Sequence, residues 1–244
     1  MSTDDGDDVV LELEDVIAGY GDSEVLHGLS FSVREGEVVA LVGRNGVGKT
    51  TTLRSILGVI TPRTGRVTYR GDDVTSLEAT ETVRRGMALV PEDRRIFPEL
   101  TVRENLELAS LGGSNAGVRL SIDEALDRFE SLAERIENLG SSLSGGEQQM
   151  LTIARALVGG ADLIMLDEPT EGLAPFIVQD VMRAVRELNE QGITVLFVEQ
   201  NVQVALELAD RIYIMEQGAI VYEGTPDDLA RDQRILDRYL GVSA

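Results

Sequence analysis

The sequence predicts an α/β fold in which parallel strands alternate with helices, with an antiparallel sheet added near the N-terminus. Three observations carry this. Short, wholly apolar runs at residues 38–42, 87–90 and 163–166, and the mainly apolar run 193–198, read as strands covered on both faces, with helical spacing between them. Residues 9–16 alternate instead, with Val9, Leu11 and Leu13 set against Val10, Glu12 and Glu14, as a half-buried strand does. Between the apolar run 38–42 and a predicted helix stands a glycine-rich loop, Gly43-Arg44-Asn45-Gly46-Val47-Gly48-Lys49-Thr50.

The elements follow in order. After the strand at 9–16, Ala18-Gly19-Tyr20-Gly21 reads as a turn carrying an aromatic, and residues 25–33 as a second strand. Arg34-Glu35-Gly36-Glu37 turns into the strand before the loop. The helix at 51–57 sets Leu53, Ile56 and Leu57 on one side and stops at Gly58. A turn at 61–65 precedes a strand at 66–70, which Gly71-Asp72-Asp73 closes, and residues 78–85 form a short helix. The apolar strand 87–90 ends at Pro91. Thr101 and Glu104 make a capping box for a helix over 101–108, while residues 111–118 are expected to be the least ordered stretch. Leu126, Phe129, Leu132 and Ile136 keep helical spacing and predict one helix over 122–137. A Ser/Gly turn at 140–144 leads into a helix over 147–158. Residues 175–189 form a long amphipathic helix with Pro175 in its first turn. A helix at 202–208, a strand pair (211–215 and 219–222) around Gln217-Gly218, and helices over 226–240 finish the chain.

Composition narrows the classes. A chain of 244 residues is one large domain, or a domain with a subdomain, and its 43% hydrophobic content is ample for a core. No apolar run approaches the roughly 18 residues of a membrane span, and the acidic, polar residues 1–8 read as a disordered tail rather than a signal peptide. With no cysteine, disulfides and thiolate metal sites are excluded, and a cytosolic location is compatible. The net charge of −21 repels nucleic-acid phosphates and anionic lipid heads, so no nucleic-acid partner is expected. Scarce lysine with abundant Asp and Glu suggests a salt-loving source.

The glycine-rich loop fits the phosphate-loop (Walker A) pattern G-x-x-x-x-G-K-[ST]. Glycines let the backbone turn its N–H groups onto a phosphate, and the following helix adds its positive end. Lys49 would reach the β- and γ-phosphates, Thr50 would hold Mg²⁺, and Thr51 opens the helix. Lys49 is also the only lysine in the sequence; every other cationic side chain apart from His27 is arginine. Further on, Leu163-Ile164-Met165-Leu166-Asp167-Glu168 is an apolar strand ending in two carboxylates. Asp167 there would hold Mg²⁺, and Glu168 would polarise an attacking water. Upstream, Leu143-Ser144-Gly145-Gly146-Glu147-Gln148-Gln149 combines an N-cap serine and its capping-box glutamate with a glycine-rich helix start, a second site suited to an anion.

These three motifs, in this order, resemble the ATPase cassettes of ABC transporters, and the resemblance covers residues 9–240. It implies a phosphate-loop NTPase with a parallel-sheet, RecA-like core, an antiparallel β subdomain and an inserted helical subdomain. Core and β subdomain would take residues 9–91 and 161–224, the helical subdomain 92–160, and C-terminal helices 225–240. The family implies ATP and Mg²⁺ as cofactors, and a head-to-tail dimer in which Ser144, Gly145, Gly146 and Glu147 act on the ATP of the facing cassette. Residues 90–98, Gly172-Leu173-Ala174-Pro175 and Val198-Glu199-Gln200-Asn201 are similar to the LivF type, the second ATPase of branched-chain amino acid importers. Urea and short-amide importers use similar ATPases.

By that resemblance Tyr20 would stack on adenine. Glu92 stands where many cassettes carry a glutamine that senses Mg²⁺, and as a carboxylate it can serve as a metal ligand. Gln200 replaces the usual histidine at the γ-phosphate and donates only a neutral hydrogen bond. Ala174 replaces an aspartate. These departures imply two unequal composite sites. The implied partners are a paralogous cassette, or a second copy when isolated, two permease subunits and, indirectly, an extracytoplasmic binding protein. That would place the chain on the cytoplasmic face of the membrane. His27 is expected to be structural. Arg84-Arg85 and Arg94-Arg95 read as surface basic spots, the second beside the permease contact.

Overall fold

A computed structural model describes residues 9–114 and 119–240. The acidic segment 1–8 and residues 115–118 of the stretch expected to be least ordered lie outside the described residues. The chain opens with β1 (Val9–Tyr20), β2 (Ser23–Arg34), β3 (Val38–Val42) and α1 (Lys49–Ile56). Next come β4 (Thr64–Tyr69), β5 (Asp72–Asp73), α2 (Ala79–Arg84) and β6 (Met87–Val90). The helices α3 (Val102–Gly112), α4 (Ile122–Arg128) and α5 (Glu130–Ala133) precede a 3-10 turn at Gly140–Ser142 and α6 (Gly145–Val158). After β7 (Leu163–Asp167), α7 (Pro175–Asn189), β8 (Thr194–Glu199) and α8 (Val202–Leu208) comes the hairpin of β9 (Arg211–Glu216) and β10 (Ala219–Gly224). Two short helices, α9 (Pro226–Arg231) and α10 (Gln233–Ile235), and a π-helical turn at Leu236–Leu240 complete the order.

These elements gather into two compact units, the described residues of Met1–Ala79 with Thr194–Ala244, and those of Thr80–Ile193. In the first unit, β2-β1-β4-β5 form an antiparallel sheet. The same unit pairs β3 in parallel with β8 on one side and β9 on the other, and β10 closes antiparallel on β9. Every residue of β3 and β8 is buried, which explains the unbroken apolar runs at 38–42 and 195–198. Leu13, Leu29, Leu41, Leu53, Ile56 and Phe197 are at most 1% exposed and form much of this core. In the second unit β6 and β7 pair in parallel, Met87 against Leu163 through Val90 against Leu166. Leu106, Leu151, Ile153 and Leu132, all fully buried, carry its helical core.

Three expectations are corrected. Tyr20 does not sit in a turn: β1 continues to it, paired with Ser23, and the reversal is at Gly21-Asp22. The cause is a bulge at Asp15, where φ is +48° and the register slips between Leu13 and Val16. An extra residue resets the alternation, so a period-2 reading ends the strand early. The helix expected over 122–137 is broken at Phe129 (φ −114°, ψ 72°) into α4 and α5. Leu126, Phe129 and Leu132 are all buried regardless, so the apolar spacing survives a break that no glycine or proline announces. Finally, β4 starts two residues earlier than expected, and Asp72–Asp73 forms a short strand pairing with Thr68 and Tyr69.

Candidate functional site

The glycine-rich loop leaves β3 at Val42, whose parallel neighbours are Glu199 on β8 and Ile214 on β9. Gly43 N–H donates to the Glu199 carbonyl at 3.2 Å, which fixes the start of the loop to the strand beside it. Lys49 is 4% exposed, unusual for a lysine, and its ammonium donates to the carbonyls of Gly43 (2.9 Å) and Arg44 (3.2 Å). The ammonium is thereby drawn back over the loop rather than out into water. Gly48, the N-cap of α1, has φ +114° and offers no side-chain cap, and the first turn of α1 contains no acid. The backbone angle calls for glycine, and a Cβ on Gly48 would also lie 2.8 Å from Met215 Cε and 2.9 Å from Leu26 Cδ2, so those side-chain ends would have to give way. A bare helix start with a cation folded over its loop suits a phosphate anion, so the loop fits a nucleotide's phosphate tail.

Other residues of the first unit surround this loop in the fold. The Tyr20 ring is 47% exposed and its hydroxyl accepts from Arg54 of α1 at 3.0 Å, so the aromatic is presented at the surface rather than packed away. Gln200 follows β8 directly and is exposed, one residue beyond the carbonyl that anchors Gly43. Glu199 was not singled out from the sequence. It is 2% exposed, and its Oε2 accepts from the backbone N–H groups of Gln200 and Asn201, which sets the turn out of β8. The signal was available: an apolar run ending in a carboxylate, the same pattern that marked Asp167 and Glu168. His27 makes a backbone hydrogen bond to Gly218 and its ring is half exposed.

In the second unit, Asp167 closes β7 and is 4% exposed. Glu168 follows with φ +46°, the left-handed region, which costs a non-glycine residue roughly 1–2 kcal/mol. Its carbonyl accepts from Glu171 N–H at 3.1 Å, closing the turn that re-aims the chain. Strain of this kind held by surrounding structure collects at functional sites. Glu92 lies just past the end of β6, the parallel neighbour of β7, and is exposed. Thus Glu92 and the Asp167-Glu168 pair emerge from the same ends of adjacent strands. Among the described residues no three His, Cys, Asp or Glu side chains form a ready-made metal site. Mg²⁺ is commonly held by one or two carboxylates together with substrate phosphates, and Asp167 and Glu168 are carboxylates of that kind.

The Ser144 helix start is built differently. Ser144 Oγ accepts from Glu147 N–H and Ser144 N–H donates to Glu147 Oε2 at 2.7 Å, a complete capping box. The other Glu147 oxygen pairs with Arg135. Burial works to raise the Glu147 carboxyl, but the Ser144 hydrogen bonds and the Arg135 guanidinium prevail and hold it below its ordinary value. Gly145 is partly exposed and Gly146 buried against Ile177 of α7. The two arginines taken together as a surface spot separate here. Arg95 is exposed and pairs with Asp93, whereas the Arg94 guanidinium lies beside Gly145 and its buried Nε has no hydrogen-bond partner.

Comparison with known proteins agrees with this arrangement. The ABC transporter family profile matches residues 26–171. The high-affinity branched-chain amino acid transport ATP-binding protein BraG of Pseudomonas aeruginosa is 40% identical over 232 residues, 95% of this chain and 100% of that protein. The probable branched-chain amino acid transport ATP-binding protein LivF of Archaeoglobus fulgidus is 36% identical, covering 92% and 96%. The lipopolysaccharide export system ATP-binding protein LptB of Haemophilus influenzae is 34% identical, covering 95% and 97%. Among solved structures, an ABC transporter cassette in its ADP conformation superposes with a TM-score of 0.82 at 29% identity, covering 96% of this chain and 99% of that one. A dimeric cassette in a post-hydrolysis state with ADP and phosphate gives 0.76 at 27% identity, covering 88% and 98%. The chain belongs to the ABC transporter family, as one of its ATPase cassettes.

Proposed function

We propose that this cassette hydrolyses ATP to power an importer of branched-chain amino acids. One observation carries the nucleotide site: the only lysine of the chain is buried over a loop that starts a helix no side chain caps. In this reading the loop residues Gly43 to Thr51, with Arg44, Asn45, Gly46, Val47 and Gly48 supplying backbone N–H groups, grip the phosphate tail. Lys49 supplies the compact positive charge, and the exposed Tyr20 ring stacks on the base. Thr50 and Asp167 hold Mg²⁺, with Glu92 as a further oxygen ligand, and the ion neutralises charge on the phosphates. Glu168 accepts a proton from the attacking water, and Gln200 donates a hydrogen bond at the γ-phosphate. Ser144, Gly145, Gly146 and Glu147 present their helix start to the ATP of a facing cassette. The dimeric relative supports that last assignment.

The substrate class rests on the similarity to BraG and LivF across nearly the whole of each chain. LptB, at 34% identity, supports a second reading, lipopolysaccharide export. The proposed partners are a second cassette, two permease subunits and, through them, a binding protein. No helix among the described residues is long and apolar enough to cross a membrane, which supports peripheral attachment. The permease surface is proposed for the second unit. There a cavity of about 250 Å³ is lined by Val83, Met87, Leu108, Ala109, Ala156 and Ala161. Phe97 (40% exposed), Leu108 (41%) and Leu111 (82%) are apolar side chains open to solvent in the same unit.

Vesicles holding the cassette with its permease and binding protein provide the test. Leucine or isoleucine should stimulate phosphate release, and Glu168→Gln should lower turnover roughly 10²–10⁴-fold. Stimulation by urea or by lipopolysaccharide instead overturns the substrate assignment, and unchanged turnover removes Glu168 as the base. The 43 acidic residues against 22 Lys and Arg also support a salt-rich cytoplasm. Stability undiminished when KCl is lowered from molar to dilute levels contradicts that part.

A further inference from the structure

The loop is braced by a turn that lies some 170 residues further along the chain. Gln217 (φ +46°) and Gly218 (φ +78°) form the tight reversal between β9 and β10, with Glu216 paired to Ala219. Gly218 N–H donates to the Val47 carbonyl at 3.0 Å, and the Gly218 carbonyl accepts from His27 N–H at 2.9 Å. The turn is therefore held to β2 on one side and holds the loop on the other. Just before it, Met215 is 2% exposed and fills the space beneath the loop. A Cβ on Gly43 would lie 2.6 Å from the Met215 carbonyl oxygen, and one on Gly48 2.8 Å from its Cε. Thr52 Oγ1 lies 3.9 Å from Met215 Sδ.

A peptide unit is planar and trans, so its C=O and the following N–H point in opposite directions. Tying the Val47 carbonyl to Gly218 therefore turns the Gly48 N–H the other way, and Gly48 is the N-cap of α1. An N–H aimed before the ligand arrives is worth more than one that must be ordered on binding.

We propose that Gly218, with Met215 beneath it, is a positioning residue for nucleotide binding: its N–H sets the peptide between Val47 and Gly48 so that the loop is shaped for phosphate in advance. The inference rests on the phosphate-loop reading given above. Gly218 is required because a Cβ there would lie 2.1 Å from the Val25 carbonyl and 2.8 Å from His27 Cδ2, whatever the backbone angle.

Gly218→Asn tests this, since asparagine tolerates a positive φ and the added cost is the collision alone. Gly71→Asn is the control, with φ +81° and nothing within 4 Å of its Cβ. The readouts are ADP affinity by calorimetry, melting temperature without nucleotide, and acetylation of the single lysine followed by peptide mass. Gly218→Asn should weaken ADP binding roughly tenfold, about 1.4 kcal/mol, and raise Lys49 acetylation, while Gly71→Asn changes neither. A folded Gly218→Asn that binds ADP as the parent does overturns the proposal. Should that variant not fold, Met215→Ala decides: it removes the side chain whose end lies against Gly48 and leaves a cavity there, so affinity should fall severalfold, and parental affinity overturns the proposal. Lys49→Met separates the two levels. Parental affinity in Lys49→Met defeats the phosphate-loop reading itself, whereas loss there with normal Gly218→Asn defeats only the brace.

Discussion

The helices α1 and α6 both carry glycines at their starts, before the helix in α1 and in the first turn of α6, yet they treat those first turns in opposite ways. α1 starts at a left-handed glycine with no side-chain cap and no acid in its first turn. α6 starts at Ser144 with a complete capping box, and the carboxylate of Glu147 sits in its first turn. A capped helix has spent part of its N-terminal hydrogen-bonding capacity on its own side chains. An uncapped one keeps it for something external, and Lys49 adds charge of the sign a phosphate requires. The lesson is that similar sequence patterns, glycines around a helix start, hide different capacities. α1 has the chemistry of an anion site, whereas α6 ties its start to a carboxylate whose charged form, against burial, the Ser144 hydrogen bonds and then the Arg135 guanidinium favour. Alone, α6 is a poorer anion site than α1, because its own capping box and first-turn carboxylate oppose an anion.

The largest effect should follow from removing the charge at α1. Lys49→Met deletes an ammonium whose charge-assisted hydrogen bonds are worth about 1.5–3 kcal/mol. Nucleotide affinity by calorimetry should therefore fall roughly 10- to 150-fold. The variant also leaves the carbonyls of Gly43 and Arg44 without that donor, so the melting temperature should drop too. If affinity is unchanged, α1 is not the anion site and the contrast with α6 collapses.

Ser144→Ala is the matching change on the other helix. Losing an N-cap costs about 0.5–2 kcal/mol, which in a chain of this size is a fall of roughly 1–8 °C in melting temperature. Nucleotide affinity of the isolated chain should stay at the parental value. A large loss of affinity in the monomer would mean that α6 binds the anion on its own, contrary to the reading of its capping box.

The contrast between the helices was only half legible in the sequence. Local chemistry was readable: the capping box at Ser144 and Glu147, the one at Thr101 and Glu104, Pro175 opening α7, and the buried runs that became β3, β6, β7 and β8 all leave marks within a few residues. What failed was anything set by partners far away in the chain. The bulge at Asp15 answers to Ser30, whose Oγ accepts the Asp15 N–H at 2.8 Å, and no window around residue 15 contains that information. The break at Phe129 keeps its apolar spacing, so periodicity passes over it. Among the candidate residues, the loop of the first unit and Asp167 and Glu168 of the second were proposed from residue type and order. Met215 and Gly218 were not, because their relation to the loop exists only once β9 flanks β3.

The smallest expected effect concerns acid. The Glu147 carboxyl is held below its ordinary value of 4.5 although burial opposes this, because Ser144 and Arg135 stabilise the charged form. A carboxylate favoured in the folded state adds stability that is fully present above the unfolded value and is lost as pH falls through the lowered folded one. Glu147→Gln keeps a side chain of the same length but removes that charge. At pH 7 its melting temperature should lie below the parent's by roughly 1–4 °C, the range expected for a carboxylate of about 0.3–1 kcal/mol at a helix start. Between pH 5 and the acid end the two curves should converge, since the parent loses the same contribution on protonation. Glu104 and Glu124 have lowered values from the same capping arrangement, so both proteins retain a common acid slope and the comparison must be made as a difference. α1, with no acid in its first turn, adds nothing to that difference. Parallel curves that never converge would show that Glu147 acts through packing or its hydrogen bonds alone, and that charge is not what sets α6 apart.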